Sequence, residues 1–308
     1  MQRPLGVTLS AVVAIIGSAL ALLFAAIVAV STATGTGDMA AYGGPVVFMA
    51  LLSAAAGVTG LFTAVGLLRL RPWARTSMLV FAGIVAVFSL AGGTVMAVLP
   101  LPPTPGMTDA TMQTVRRVAL VAYGVPLAIC VWWLVQFNRQ ATKDAFAAAA
   151  PGEVTRRPLI ISIIGWFNII GGVFLISAAM TSMPALAAGF VLTGWSASIL
   201  YLFLGAVNTY LGWRLLRLDE HARILTIWWF VLTITHTMFM ALTPSARARM
   251  RDVQVLLRPE GAPPPPEMTT SATITMMAVS ALLLAAAIWP LVACKPAFTL
   301  DDDETTTP

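Results

Sequence analysis

Eight apolar runs divide this chain, at roughly 5–31, 46–70, 75–99, 117–138, 158–182, 187–216, 221–243 and 271–294. In each run Asp, Glu, Lys and Arg are confined to the ends. About 20 residues rising 1.5 Å each cross some 30 Å of hydrocarbon. Lipid offers no partner for a free N–H or C=O, so such runs must be helical. The alternation over about 10 residues that marks a membrane β-barrel is absent. The expectation is an all-α polytopic transmembrane helical bundle of about eight helices.

Composition removes the soluble alternatives. Hydrophobic residues make up 58% of the chain and charged residues 10%, with a mean hydropathy of +0.87. Soluble domains carry about 25% charged residues and need them to keep their surfaces dispersed. The net charge of +5 does not indicate nucleic acid as a partner: the basic residues sit at helix ends, without the aromatic interleaving of a strand-binding surface. Arginine outnumbers lysine 16 to 2, as in a protein from a GC-rich bacterial genome. Two cysteines, Cys130 and Cys294, and two histidines have no ligand spacing. Neither a metal site, a cofactor nor a structural disulfide is expected from them. The first run, from Leu5 to about Val30, is nearly twice the core of a cleaved signal peptide, and reads as a retained helix.

Orientation follows from the basic residues. With the N-terminus inside, the cytoplasmic segments hold twelve Lys and Arg and the external ones six, which places both termini in the cytoplasm and the protein in the cytoplasmic membrane. Arg69, Arg75, Arg217 and Arg223 read as anchors at the membrane interface, with Trp73 at the same depth.

The chain also resembles itself. Arg3-Pro4-Leu5 opens the first run and Arg157-Pro158-Leu159 the fifth; Ile15-Ile16-Gly17 and Ile169-Ile170-Gly171 follow at the same offset. Leu67-Leu68-Arg69-Leu70, three residues, then Ala74-Arg75 is matched by Leu215-Leu216-Arg217-Leu218, three residues, then Ala222-Arg223. Met96-Ala97 to Pro100 is matched by Met240-Ala241 to Pro244, and Trp132 by Trp289. Four matches in the same order indicate two four-helix repeats, 1–139 and 157–299, joined by a cytoplasmic linker at 140–156 and followed by an acidic, disordered tail at 300–308. An even number of crossings per repeat makes the two parallel rather than inverted. Gly17 and Gly171 are expected to let helices approach closely.

On these residues the repeat is similar to small bacterial four-helix membrane proteins of uncharacterised families. The pieces are Arg3-Pro4-Leu5, Ile15-Ile16-Gly17, Leu67 to Arg75 and Lys143-Asp144-Ala145-Phe146; the second half has Lys295-Pro296-Ala297-Phe298 at the corresponding place. It departs at Asp219-Glu220-His221, where the first half has Arg71-Pro72-Trp73. The resemblance implies an integral membrane location and no activity.

Little in the chain carries chemistry. None of its 13 acids falls inside a run, which removes the usual residues of proton relays and cation pathways. Walker-type loops, His-Glu-x-x-His, Gly-x-Ser-x-Gly, Cys-x-x-Cys and strict Gly-x-x-x-Gly are also missing, so no catalytic residue is assigned. His236 is the one ionisable residue deep in a run. It is either a site residue or, as favoured here, a neutral imidazole bonded to a neighbouring helix or carbonyl. Asn168 and Asn208 have no polar counterparts at the matching positions, Ala14 and Gly60, and Ser196, Ser198, Tyr201 and Thr209 add to the polarity of the second half. They either bond between helices or line a small polar cavity. Pro126 and Pro290 are expected to kink their helices. Residues 246–258 carry arginines on one helical face and Met250, Val253, Leu256 and Leu257 on the other, an interfacial pattern, before a stiff step at Pro263–Pro266.

Three functions fit. The leading one is a non-enzymatic membrane protein acting through lipid, other membrane proteins or self-association. A transporter or channel using a polar cavity in the second repeat is the alternative, and an enzyme acting on lipid comes third. The topology is open to direct test with single cysteines in a background where Cys130 and Cys294 are replaced. An impermeant maleimide applied to intact cells should label Gly37→Cys and Gly261→Cys, and Gly152→Cys only after lysis; the reverse pattern contradicts the assigned orientation.

Overall fold

The computed structural model describes residues 4–34, 44–98, 108–149, 157–181, 183–256 and 270–299. The acidic tail, Leu257, Arg258 and the Pro263–Pro266 step lie outside the described residues, as does the part of the linker at 150–156. In chain order the elements are α1 (Leu5–Thr34), α2 (Gly44–Leu68), α3 (Pro72–Val98), α4 (Asp109–Asn138), α5 (Gln140–Ala149), α6 (Leu159–Met180), β1 (Ala185–Ala187), β2 (Phe190–Leu192), α7 (Trp195–Leu216), α8 (Glu220–Leu242), α9 (Pro244–Leu256), α10 (Thr270–Ala293) and α11 (Pro296–Thr299). The protein is all-α, and α1, α2, α3, α4, α6, α7, α8 and α10 are long and apolar enough to cross a membrane. Pro126 and Pro290 lie inside α4 and α10, which run through them.

Two compact units are present. One comprises Met1–Gly83 with Ile129–Thr155, the other Ile84–Ala128 with Arg156–Pro308. The division falls inside α3 and α4 as well as near the linker. Much of that linker is folded: Gln140–Ala149 forms α5, with Thr142 and Phe146 buried.

In the first unit α1 packs closely along α2. Val7, Ala11, Ala14, Ser18, Ala25 and Val28 are buried along one stripe of α1, at the three- and four-residue steps that return a helix to the same face. On α2, a methyl group at Gly57 would stand 2.7 Å from Leu22 Cγ and 3.0 Å from the Ser18 carbonyl oxygen. The second unit repeats this closeness between α6 and α7. A methyl at Gly212 would lie 2.5 Å from the Gly165 carbonyl oxygen, and one at Gly205 2.8 Å from that of Gly172. Small residues let backbones meet, which drives helix association where burial from water cannot.

The glycines expected to do this were one position off. Nothing lies within 4 Å of a Cβ built on Gly17 or Gly171; their neighbours Ser18 and Gly172 make the contact. One residue turns the helix by about 100°, enough to move a side chain from the partner helix to the membrane.

The α2–α3 and α7–α8 connections are closed in the same way. Arg71 N–H donates to Gly66 O at 2.9 Å and Leu70 N–H to Leu67 O at 3.0 Å. Asp219 N–H donates to Arg214 O at 3.2 Å and Leu218 N–H to Leu215 O at 3.0 Å. Both are Schellman ends, a motif that places its penultimate residue in the left-handed region and favours glycine there. Here Leu70 (φ 53°) and Leu218 (φ 59°) take the position, at a cost of roughly 1–2 kcal/mol. Packing offsets it: Leu70 is buried, and Leu218 lies against the cluster of Ile161, Ile164, Leu215, Phe230, Leu291 and Phe298.

The sixth run does not start at 187. Residues 185–192 form an antiparallel hairpin, Ala185 opposite Leu192 and Ala187 opposite Phe190, and α7 begins at Trp195. Ala188 (φ 48°) and Gly189 (φ 84°) make the two-residue turn, and positive φ at both central positions is what the twist of a tight hairpin requires.

These contacts predict opposite effects for two glycines. Gly212→Ala should destabilise the chain by about 1–3 kcal/mol, because the methyl meets a carbonyl that cannot easily move. Gly171→Ala should be neutral or stabilising by up to about 1 kcal/mol through helix propensity. Unfolding of the two variants in mixed micelles, compared with wild type, measures this.

Candidate functional site

The polar residues of the second half were the sequence's best candidates for a site, and the structure shows what each of them bonds. Asn168 is buried on α6, and its amide donates to Ile164 O at 2.9 Å. Asn208 on α7 donates to Leu204 O at 2.9 Å and accepts from Trp229 Nε1 on α8 at 3.3 Å. Both amides thus bond back one turn along their own helices, as short polar side chains do when the membrane offers nothing better. Thr209 Oγ1 is buried against Gly172 and has no hydrogen-bond partner among the described residues.

A second set gathers at the β-hairpin. Tyr201 Oη donates to Pro184 O at 3.0 Å and Ser198 Oγ to Ala179 O at 2.8 Å, while Ser196 Oγ donates to Thr193 O at 2.9 Å. His236 is exposed, and its Nε2 accepts the Ala188 N–H at 3.3 Å. That N–H belongs to the hairpin turn, where strand pairing leaves it free. The bond uses the lone pair of Nε2. Helix α9 completes the cluster. It packs on α8 and on both strands, with Ala246 buried and Met250 and Val253 partly so. Its apolar face therefore meets protein along 246–253, whereas Val255 and Leu256 are exposed. Among the described residues no hydrogen bond links His236 and the two asparagines: Asn168 bonds within α6, Asn208 within α7 and to Trp229 on α8, and His236 bonds the hairpin.

The arginines do more than the sequence indicated. Arg75 Nε donates to Phe137 O at 2.9 Å, and Arg223 Nη1 to Leu291 O at 3.1 Å. Arg116 donates to Met96 O at 3.0 Å and also to Ala97 O, and Arg247 to Ala241 O at 2.6 Å. Each of these carbonyls lies in the last turn of its helix, where main-chain oxygens have no intrahelical donor and the dipole is negative. Arg223 is buried and also holds Glu220, Nε to Oε2 at 2.6 Å, with its Cζ 5.9 Å from the centre of the Phe298 ring. Interface anchoring is therefore not the whole role of Arg75 and Arg223: they close helix ends from within. Arg69 and Arg217 are exposed, and Arg217 lies 3.9 Å over the Trp213 ring.

The sequence marked these arginines only at the edges of their runs, whereas the structure places Arg75 and Arg223 in the first turn of α3 and α8. The β-hairpin was announced only by Pro184, Gly189 and Gly194, punctuation that is also common in loops. Among the described residues no group of three or more His, Cys, Asp or Glu is placed to hold a metal ion. No family model, curated protein or solved structure matches the chain.

The clamps give a graded prediction. Arg223→Gln strands the Glu220 carboxylate and a helix-end carbonyl, and should cost about 3–5 kcal/mol. Arg75→Gln removes one charge-assisted bond and should cost about 1.5–3 kcal/mol, and His236→Ala about 0.5–1.5 kcal/mol. Chemical unfolding in micelles ranks the three, and a cost for His236→Ala equal to that of Arg223→Gln would contradict the assignment.

Proposed function

We propose that this chain is a non-enzymatic, multi-pass protein of a bacterial cytoplasmic membrane, acting through contacts with lipid and with other membrane proteins or copies of itself. It consists of two parallel four-helix repeats, with both termini in the cytoplasm, and belongs with the small four-helix membrane proteins it resembles. The observation that carries the reading is the use to which the intramembrane polar groups are put. Asn168, Asn208 and His236 bond main chain or an indole, and among the described residues no hydrogen bond links them to one another. A transport path needs polar groups that face a common route. The surface available for contact is large and apolar: Met180, Trp195, Trp228 and Trp289 are all strongly exposed.

Support for the duplication comes from sequence and geometry together. The matched Leu-Leu-Arg-Leu segments end in the same hydrogen-bonded turn. The matched Arg75 and Arg223 both reach the end of the fourth long helix of their half. Matched Phe146 and Phe298 are both buried on the short helices that follow. The twelve-to-six bias of Lys and Arg supports the orientation.

The reading is tested by rescue. In a strain lacking the protein and showing a phenotype, the Asn208→Ala/His236→Ala double variant, expressed at wild-type level, should restore the phenotype fully. Failure to restore it would overturn the reading in favour of a transporter or channel whose site includes these residues.

A further inference from the structure

A groove of about 550 Å³ lies in the first unit, beside the turn between α2 and α3. That volume falls within the range of small-molecule pockets. Its wall along α2 is apolar and includes Val58, Phe62 and Val65; at the turn it is bounded by Arg69, Arg71 and Trp73. Gly66, at the groove's edge, leaves room for the indole: a methyl there would be 2.8 Å from Trp73 Cζ2. Phe62 and Val65 are exposed on a helix long and apolar enough to cross the membrane, so the groove opens toward the acyl region.

We propose that this groove binds one anionic phospholipid of the bilayer, its phosphate on Arg69 and Arg71 and an acyl chain along Phe62 and Val58. Both guanidinium groups are exposed, and among the described residues no carboxylate pairs with either. A guanidinium presents a planar fork of donors that fits phosphate oxygens two at a time, and a tryptophan at the headgroup boundary suits such a site. A second copy of the same groove is a poor occupant, since it would bring four arginines together.

The other half supplies the comparison. Its turn has the same main-chain bonds, but the matched positions differ. Trp213 stands where the first half has Val65, Tyr210 where it has Phe62, and Asp219 where it has Arg71. There Arg217 stacks on Trp213, and Arg214 pairs with Asp219 while lying 5.9 Å from the Tyr210 ring centre. Both arginines are occupied by their own chain. The same backbone thus carries one turn with unpaired cations beside an open groove and one whose arginines are paired with a carboxylate or stacked on an indole.

The site rests on the interaction reading above, and its test reads a different quantity. The full chain, purified and delipidated in neutral detergent, is titrated with phosphatidylglycerol or with phosphatidylcholine of identical acyl chains, and bound lipid is counted by native mass spectrometry. Wild type should retain one phosphatidylglycerol in clear preference to phosphatidylcholine. Arg69→Gln/Arg71→Gln should weaken that retention roughly 30-fold, as expected for two basic groups meeting an anionic headgroup. Val65→Trp keeps both charges but copies the cover of the second half, and should lose the lipid as well. Arg217→Gln should behave as wild type. Equal retention of the two lipids by wild type would overturn the proposal without any variant, as would equal losses in Arg217→Gln and the first-turn pair. Such a failure leaves the rescue result untouched, and a failed rescue leaves the lipid count untouched, so the two readings fall separately.

Discussion

Hydrocarbon accepts and donates no hydrogen bonds, so every main-chain polar group that enters it must find its partner in the protein. Most of this structure answers that constraint. Long helices satisfy their interiors, which leaves the last carbonyls of each helix. Two ends are closed by Schellman bonds that tolerate a left-handed leucine. Four are met by Arg75, Arg116, Arg223 and Arg247. The hairpin N–H of Ala188, unpaired by its own strand partner, is taken by His236. Residues that look functional by their rarity are here largely consumed by the backbone.

Close packing is the second consequence. Once all surroundings are apolar, two helices gain by touching only if they touch more closely than either touches lipid. Ser18 against Gly57 and Gly60, and Gly165 and Gly172 against Gly212 and Gly205, bring main chains into contact. The α1–α2 and α6–α7 pairs therefore make the most extensive helix–helix contacts among the described residues. A methyl on Gly172, Gly205 or Gly212 would meet main chain at 2.5–2.8 Å, whereas Gly17 and Gly171, though matched in sequence, face open space.

How far the sequence could be read follows from what each feature depends on. The membrane helices were legible because apolar length is a one-dimensional property, and their ends agree within a few residues except at α4, which starts at Asp109, and α7, which starts at Trp195. The hairpin was barely legible, because its residues are as apolar as the helix they precede and only Pro184, Gly189 and Gly194 mark it. The helical character of 246–256 was legible from its periodicity, but not that its apolar face would pack on α8 and the strands. Which face of α1 or α6 meets its partner depends on a rotation of one residue, and the repeated Gly pointed to the wrong one. Whether Asn168, Asn208 and His236 converge depends on partners distant in sequence: Trp229 is 21 residues from Asn208, and Ala188 is 48 from His236. No spacing rule links such pairs.

The central claim is that the polar residues within the spans serve the backbone and line no water-filled path. Thiol accessibility measures this most directly. With Cys130 and Cys294 replaced, Asn208→Cys and Asn168→Cys are each exposed in intact membranes to a small charged thiosulfonate, and Gly152→Cys, placed in the linker, serves as the reactive control after lysis. The account predicts that both mid-span cysteines stay unmodified until the protein is unfolded in detergent. Rapid modification of either one in the folded protein would mean that water reaches the middle of the second half, and would contradict it.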